Sequence, residues 1–398
     1  MTDWRTVTMQ DVMAEFYDGP HATPPPATEG AIYLGIKNMT EDGHLDLSEI
    51  RHIAESDYGT WTRRVEPRPG DVIFTYEASL HRYAVIPEGF RGTLGRRVAL
   101  LRPRPDVVDT KFLLYSFISP AWRATVQRRI NLGSTVDRLP LTDFPSFPIR
   151  LPPLDTQARI AAVLSAYDDL IENNNRRIKL LEEMAQRIYG EWFVDFRYPG
   201  HEEVPIVGSE LGPIPDGWSV ESLPRVATVN YGKNLPSADL DDTGRFPVYG
   251  AAKIIGRHSV MNVNKRTIIM GCRGSCGEVA VTEAQAFVTN NSFTVSTTDS
   301  AMYYTFLLLR MRGVGEFITG SAQPQITLTN INQLRLILPP SPLLENFHSL
   351  AAPLFELAYL LDKGSANLRA TRDLLLPRLI SGEIDVTDLN VSMAEAVA

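Results

Sequence analysis

Gly133-Ser134, followed by Leu141-Thr142-Asp143-Phe144, Ile149 and Leu151-Pro152-Pro153, is answered by Gly320-Ser321, Leu328-Thr329-Asn330-Ile331, Leu336 and Leu338-Pro339-Pro340. The two runs lie 187 positions apart, Gly133 to Gly320, and the register holds without a gap. A self-match at so long a fixed period marks duplicated structural units. A long segment with helical periodicity follows each Leu-Pro-Pro. The duplication predicts two similar globular units, each followed by a long helix, with approximate two-fold symmetry inside one polypeptide.

The bulk properties fit that reading. A chain of 398 residues has room for two or three domains. With 44% hydrophobic and 22% charged residues it has the composition of an ordinary soluble globular protein. The start, Met1-Thr2-Asp3-Trp4-Arg5-Thr6, has no basic region leading into an apolar run, so no signal peptide is expected. No stretch approaches the ~20 apolar residues of a membrane helix. Cys272 and Cys276 give no disulfide framework, which suits a reducing cytoplasm. The net charge of −8 argues against nucleic acid only until it is located. Residues 1–150 hold 18 basic and 19 acidic side chains, and residues 201–338 hold 11 and 12. The excess acidity falls on 151–200 and 339–398, so both globular units are near neutral and can present basic faces. Arg91, Arg96, Arg97, Arg102 and Arg104 form one cluster, and Arg123, Arg128 and Arg129 another.

Along the chain, Val72 to Tyr76 and Tyr83 to Ile86 read as strands and Lys111 to Ile118 as a helix. Thr267 to Met270 and Val279 to Val281 match the first strand pair at an offset of 195, which requires loops of different length in the two copies. Thr156 to about Trp192 is the clearest helix. Ile160, Leu164, Tyr167, Ile171, Asn174, Ile178, Leu181, Ala185 and Ile188 recur in steps of four and three, the seam of a coiled coil. Pro152-Pro153 stops it from extending backwards, and Asp155 or Thr156 caps it. Five seam positions reappear 187 residues later as Phe347, Leu354, Leu361, Leu368 and Leu375. Gly364, Ser365 and Arg372 are expected to weaken this second seam. Asn174 is polar on an apolar stripe, and either fixes register or is idle. The simplest assembly pairs the two helices antiparallel, with a globular unit at each end and the ~55 Å helix as a ruler.

Catalytic motifs are missing. The prolines at 24–26, 152–153 and 339–340 lack the amide and aromatic neighbours of an amino-methyltransferase pocket. Gly271-Cys272-Arg273-Gly274-Ser275-Cys276-Gly277 fits neither the dinucleotide fingerprint nor the phosphate loop. It reads as a tight strand-to-strand turn, with a phosphate cradle as the alternative. Asp106 and Asp109 stand too close in sequence for a metal-dependent nuclease site, and the cysteine pair has neither a second pair nor a nearby His for zinc. The expectation is a chain that does no covalent chemistry by itself.

Seven runs are more specific. They are Asp18-Gly19-Pro20-His21-Ala22-Thr23-Pro24, Tyr33-Leu34-Gly35-Ile36-Lys37-Asn38, Gly133-Ser134-Thr135, Pro152-Pro153-Leu154-Asp155-Thr156-Gln157, Glu191-Trp192-Phe193-Val194-Asp195-Phe196-Arg197, Pro247-Val248-Tyr249-Gly250-Ala251, and Leu376-Pro377-Arg378-Leu379-Ile380-Ser381-Gly382-Glu383-Ile384. Together they resemble the specificity subunit (HsdS) of type I restriction–modification systems over nearly the whole chain. The resemblance implies an α+β fold, with two α/β target-recognition domains separated by two long helices that form an antiparallel coiled coil. The corresponding divisions are 1–150, a spacer at 151–200, 201–338, a second spacer at 339–385, and a disordered tail at 386–398. Each domain would read one half of a split, asymmetric site in double-stranded DNA. The helices would bind two modification subunits, which carry S-adenosylmethionine and methylate adenine. Restriction subunits, using ATP and magnesium, would complete a cytoplasmic nuclease, and the chain itself would bind no cofactor.

Major-groove reading needs Arg for guanine, Asn or Gln for adenine, and permissive Ser or Thr. On that basis the first domain offers Lys37, Asn38, Tyr76, His81, Arg82, Ser134 and Thr135 as DNA-binding candidates. The second offers Lys233, Asn234, Arg273, Ser275, Asn290, Asn291, Gln323 and Gln325. The subunit interface is assigned to Ile160, Leu164, Ile171, Asn174, Ile178, Leu181, Leu354, Leu361, Leu368 and Leu375. Two rival readings are a stand-alone enzyme acting on nucleic acid, which would turn over without partners, and a duplicated protein-binding scaffold, which would show no salt-dependent DNA affinity.

Overall fold

A computed structural model describes residues 4–130 and 136–387. Ser134, Thr135 and the segment from 388 onward lie outside the described residues.

The first domain begins with β1 (Arg5–Thr8), the one-turn helix α1 (Met9–Val12) and β2 (Met13–Asp18). It continues with β3 (Ala31–Leu34), β4 (His52–Ile53), α2 (Tyr58–Trp61), β5 (Val72–Thr75), β6 (Tyr83–Val85), β7 (Gly92–Leu94) and β8 (Val98–Pro103). Helices α3 (Thr110–Ile118) and α4 (Pro120–Gln127) follow, then β9 (Pro148–Leu151). Local chemistry sets these limits. The Asp109 carboxylate accepts from Phe112 N at 2.8 Å and starts α3, and Ser119 closes that helix and caps α4, where Pro120 costs nothing in the first turn. Val72, Ile73, Phe74 and Thr75 are all buried, as befits a strand covered on both faces.

After α5 (Leu154–Tyr189) a π turn (Gly190–Val194) leads into the second domain. Its elements are β10 (Ile206–Ser209), β11 (Gly212–Pro215), β12 (Ser219–Ser222), α6 (Leu223–Val226), β13 (Thr228–Tyr231), β14 (Phe246–Gly250), β15 (Lys253–His258), β16 (Ile268–Gly271), β17 (Val279–Val281), β18 (Phe287–Val288), β19 (Ser292–Ser296), α7 (Met302–Arg312), α8 (Leu328–Ile331) and β20 (Arg335–Leu338). The chain then forms α9 (Ser341–Ile380).

The duplication extends to hydrogen-bonded strand order. One domain has the antiparallel sheet β2-β8-β5-β6 and the other β13-β19-β16-β17. One has β4-β3-β7, with β3 parallel to β7, and the other β15-β14-β18, with β14 parallel to β18. The pairs β1–β9 and β12–β20 close the two domains in the same way. Leu34 opposite Leu94 therefore corresponds to Tyr249 opposite Val288, which puts the two copies in residue-level register. The hairpin β10–β11 is present in the second copy only among the described residues.

Compactness divides the chain across the long helices, into residues 1–174 with 364–398 and residues 175–363. Within the first unit, Ile160 and Leu164 of α5 share a core with Leu376, Leu379 and Ile380 of α9. Arg159 reaches the Thr387 carbonyl at 2.9 Å while Asp168 meets Arg372 at 2.5 Å, so the helix segments run antiparallel. Within the second unit the Tyr189 ring lies 6.3 Å from that of Phe347, whereas Ile178 and Glu182 line the same cleft as Ala358, Tyr359 and Asp362; the direction is again antiparallel. Helix α9 is one unbroken element through Gly364. Ser365 is buried with its hydroxyl unpartnered, in line with the expected weakening, whereas the expectation for Arg372 is corrected: it is buried against the half-buried Asp168, which also accepts from the Tyr115 hydroxyl at 2.6 Å. A cation on the seam is stable here because its partner carboxylate is fixed opposite it.

Candidate nucleic-acid interface

In the second domain the loops at one end of the sheets are stitched together by backbone. After β13, Gly232 approaches so closely that a Cβ there would lie 2.2 Å from the Thr289 carbonyl oxygen. The next residue, Lys233, donates its N–H to Val288 O at 2.9 Å, and Asn290 N donates to Lys233 O at 3.0 Å. The Asn290 amide reaches Asn234 Oδ1 at 3.5 Å. Cys272 N donates to Asn291 O and Ile326 N to Cys272 O, both at 2.9 Å. Arg273 faces Gln325 across an isolated bridge, and Gln325 exchanges two hydrogen bonds with Thr319. The structure thus gathers Lys233, Asn234, Arg273, Asn290, Asn291 and Gln325 into one connected set of loops. All are exposed except Asn290, which is half-buried. Gln323 is exposed beside them in the turn that begins at Gly320. Ser275 is half-buried in the turn joining β16 to β17, so the glycine-rich run is a strand-to-strand turn as its sequence suggests. The buried Cys272 thiol is pushed up to about 11, chiefly by burial, and is therefore an unreactive neutral group.

The corresponding positions in the first domain are different residues. Arg96-Arg97 precedes β8 as Asn290-Asn291 precedes β19, and Tyr76 N donates to Arg97 O at 3.2 Å where Cys272 N donates to Asn291 O. Glu77 and Arg138 form the isolated bridge that Arg273 and Gln325 form in the second domain. A cleft of about 510 Å³ is lined by Lys37, Glu49, Arg51, Arg96 and Arg97, over the Tyr33 ring. Sequence reasoning saw Arg96 and Arg97 only as part of a five-arginine cluster. The other three are engaged elsewhere: Arg91 with Glu55, Arg102 with Asp71 and Glu15, and Arg104 with Asp106. The signal that finds Arg96-Arg97 and Arg138 is strand order, which aligns the two copies where side-chain identity does not.

Several candidates require correction. Asn38 is buried, and its amide orders its own loop: Oδ1 accepts from Gly35 N at 2.9 Å, and Nδ2 donates to Asp46 O at 2.9 Å and Glu49 O at 3.2 Å. Tyr76 is buried, and burial, then the Asp18 carboxylate, raises its pKa, so it is a neutral core phenol. Lys37 is exposed and 3.5 Å from Glu49. His81 is half-buried at φ 64°, with its pKa lowered first by burial and then by Arg123. Arg82 spends one guanidinium N–H on the Met39 carbonyl. On the helices, Ile160, Leu164 and Ile171 are buried within the chain, and Asn174, Ile178, Leu181, Leu354, Leu361, Leu368 and Leu375 are half-buried. Residues 160, 164 and 171 therefore form the internal seam and cannot be the outward docking surface. The large apolar side chains the helices expose are Leu154, Leu170, Leu180 and Met184 on α5, and Leu350, Leu357, Leu360 and Leu374 on α9.

Residues 65–183 and 215–343 each match the family described as the type I restriction modification DNA specificity domain. The chain belongs to this family. As a specificity-domain protein it is 27% identical over 368 residues to the type I restriction enzyme MjaIX specificity subunit of Methanocaldococcus jannaschii, covering 85% of this chain and 83% of that one. It is 20% identical over 404 residues to the HindI specificity subunit of Haemophilus influenzae, covering 80% and 85%. The crystal structure of a type I restriction–modification S subunit from M. genitalium superposes with a TM-score of 0.60 at 17% identity, over 95% of this chain and 96% of that one, which shows a shared fold. The chain is a type I restriction–modification specificity subunit, and among its described residues no helix is long and apolar enough to cross a membrane.

Proposed function

We propose that each domain reads one half of a bipartite, asymmetric site in double-stranded DNA, and that the chain catalyses nothing itself. The observation that carries this reading is a shared strand order with different chemistry at matching positions: Arg96-Arg97, Glu77 and Arg138 in one copy, Asn290-Asn291, Arg273 and Gln325 in the other. A duplicated scaffold with diverged polar loops suits two different half-sites, since bases are distinguished by donor and acceptor pattern. The outward apolar side chains on α5 and α9 support docking of two modification subunits, which bring S-adenosylmethionine and methylate adenine. Restriction subunits with ATP and magnesium add cleavage. The test is the methylated motif of a host carrying the chain and its modification partner, before and after residues 1–150 are exchanged for those of a relative. One altered half supports the reading. Altered bases in both halves, or methylation by the lone chain, overturns it.

A further inference from the structure

We infer that Arg97 and Arg138 read guanine in the half-site of the first domain, and that Glu77 is the positioning residue that aims them. The inference rests on the bipartite reading above and adds a base class to one half of it. Glu77 meets Arg97 Nε at 3.0 Å through one carboxylate oxygen and Arg138 Nε at 3.8 Å through the other. Both contacts use Nε. Among the described residues no carboxylate other than that of Glu77 pairs with either guanidinium, and no hydrogen bond is seen from their terminal nitrogens. Those nitrogens are the fork that grips guanine O6 and N7. Both contacts are ion pairs without a hydrogen bond, the buried Arg97 Nε having no hydrogen-bond partner, so Glu77 draws the two guanidinium groups to one place and leaves their donors unspent. Arg97 also has φ 67°, a left-handed conformation costing a non-glycine residue ~1–2 kcal/mol. Backbone strain of this kind is concentrated at functional sites. In the second domain Asn291 and Gln325, whose amides suit adenine, take the places of the two arginines, and Arg273 that of Glu77, so two arginines about one carboxylate are particular to the first half.

The test uses the chain assembled with its modification subunits and compares wild type with Arg138→Gln, Arg97→Gln and Glu77→Gln. Binding to the methylated-motif duplex and to duplexes substituted at each guanine of the first half-site is measured across a salt series. Either arginine variant is expected to lose about 5- to 150-fold discrimination at one guanine, with the second half-site read as before. Glu77→Gln removes no positive charge, so it should relax the same position while the salt slope is unchanged. A first half-site without guanine overturns the assignment. So does a uniform loss on all sequences with a slope shallower by about 0.9, the signature of a phosphate contact. In either case the bipartite reading stands. If wild-type complex binds no duplex specifically, the bipartite reading itself fails. Glu77→Gln is nearly isosteric, and circular dichroism on each variant separates misfolding from lost reading.

Discussion

Replacing Asp168 by alanine should destabilise the unit built on the first domain by about 3 kcal/mol. Its carboxylate holds Arg372 Nη1 at 2.5 Å and the Tyr115 hydroxyl at 2.6 Å, and the Asp168 and Arg372 side chains are only 11% and 5% exposed. Removing one member of a buried pair strands the other charge and costs ~3–5 kcal/mol. Arg372 keeps Asp373 at 2.9 Å, but that partner is 62% exposed, which places the estimate at the low end. For a cooperative unit of about 200 residues, ~3 kcal/mol lowers Tm by roughly 6–12 °C. Scanning calorimetry of the full chain gives the shift. A triple replacement, Asp168→Leu with Arg372→Met and Tyr115→Phe, removes the buried pair and the hydroxyl on it, leaves only the exposed Asp373 and His44, and should recover to within ~1 kcal/mol of wild type, because a packed apolar group often equals a buried pair. A fall of less than 1 °C in Asp168→Ala would refute the buried-pin reasoning. A triple variant as unstable as the single would mean that shape, not charge, was lost.

Three further outcomes follow from particular side chains. Leu180→Gln with Leu357→Gln should weaken capture of the modification subunits while the unfolding midpoint of the chain stays within ~0.5 kcal/mol, since both side chains face solvent; unchanged co-purification would remove these residues from the docking surface. Ala251 and Ala252 form the β14–β15 turn at φ 51° and 65°, so Ala251→Gly should raise stability by ~0.5–1 kcal/mol, the left-handed cost relieved less the added freedom of the unfolded chain, and a lower Tm would contradict this. Burial and Arg123 hold the His81 imidazole below the ordinary histidine value of 6.5, so the unfolded chain takes up the proton first and stability declines as pH falls below about 6.5. His81→Asn, which tolerates φ 64°, should shrink the difference in urea midpoint between pH 7.5 and 5.5, and an identical difference would exclude His81 as its source.

Much of the architecture is legible because it is written in short-range pattern. The period-seven seam from Ile160 to Ile188 marks a helix, and the apolar runs at 72–75 and 268–270 mark strands, whatever surrounds them. The second-domain candidates lie together on connected loops, because the backbone approaches closely at Gly232 and Gly271, and most of their side chains stand exposed. The first-domain candidates fared worse for a reason of the same kind. Lys37-Asn38 follows a strand as a reader might, but the Asn38 amide turns inward to three backbone groups, and no residue type announces that.

The sequence alone determined the duplication, the helical seams and the family, since each rests on spacing between residues that any fold must respect. Tertiary structure decided how the charges are used. Arg372 and Asp168 are 204 residues apart and become a buried pin, while Arg102 is consumed by Asp71 and Arg97 is paired with Glu77. Whether a charged side chain is a solvated surface, a structural tie or a reader depends on which partner the fold delivers to within a few ångströms. Electrostatic energy is set by that distance and by burial, neither of which is a property of position along the chain.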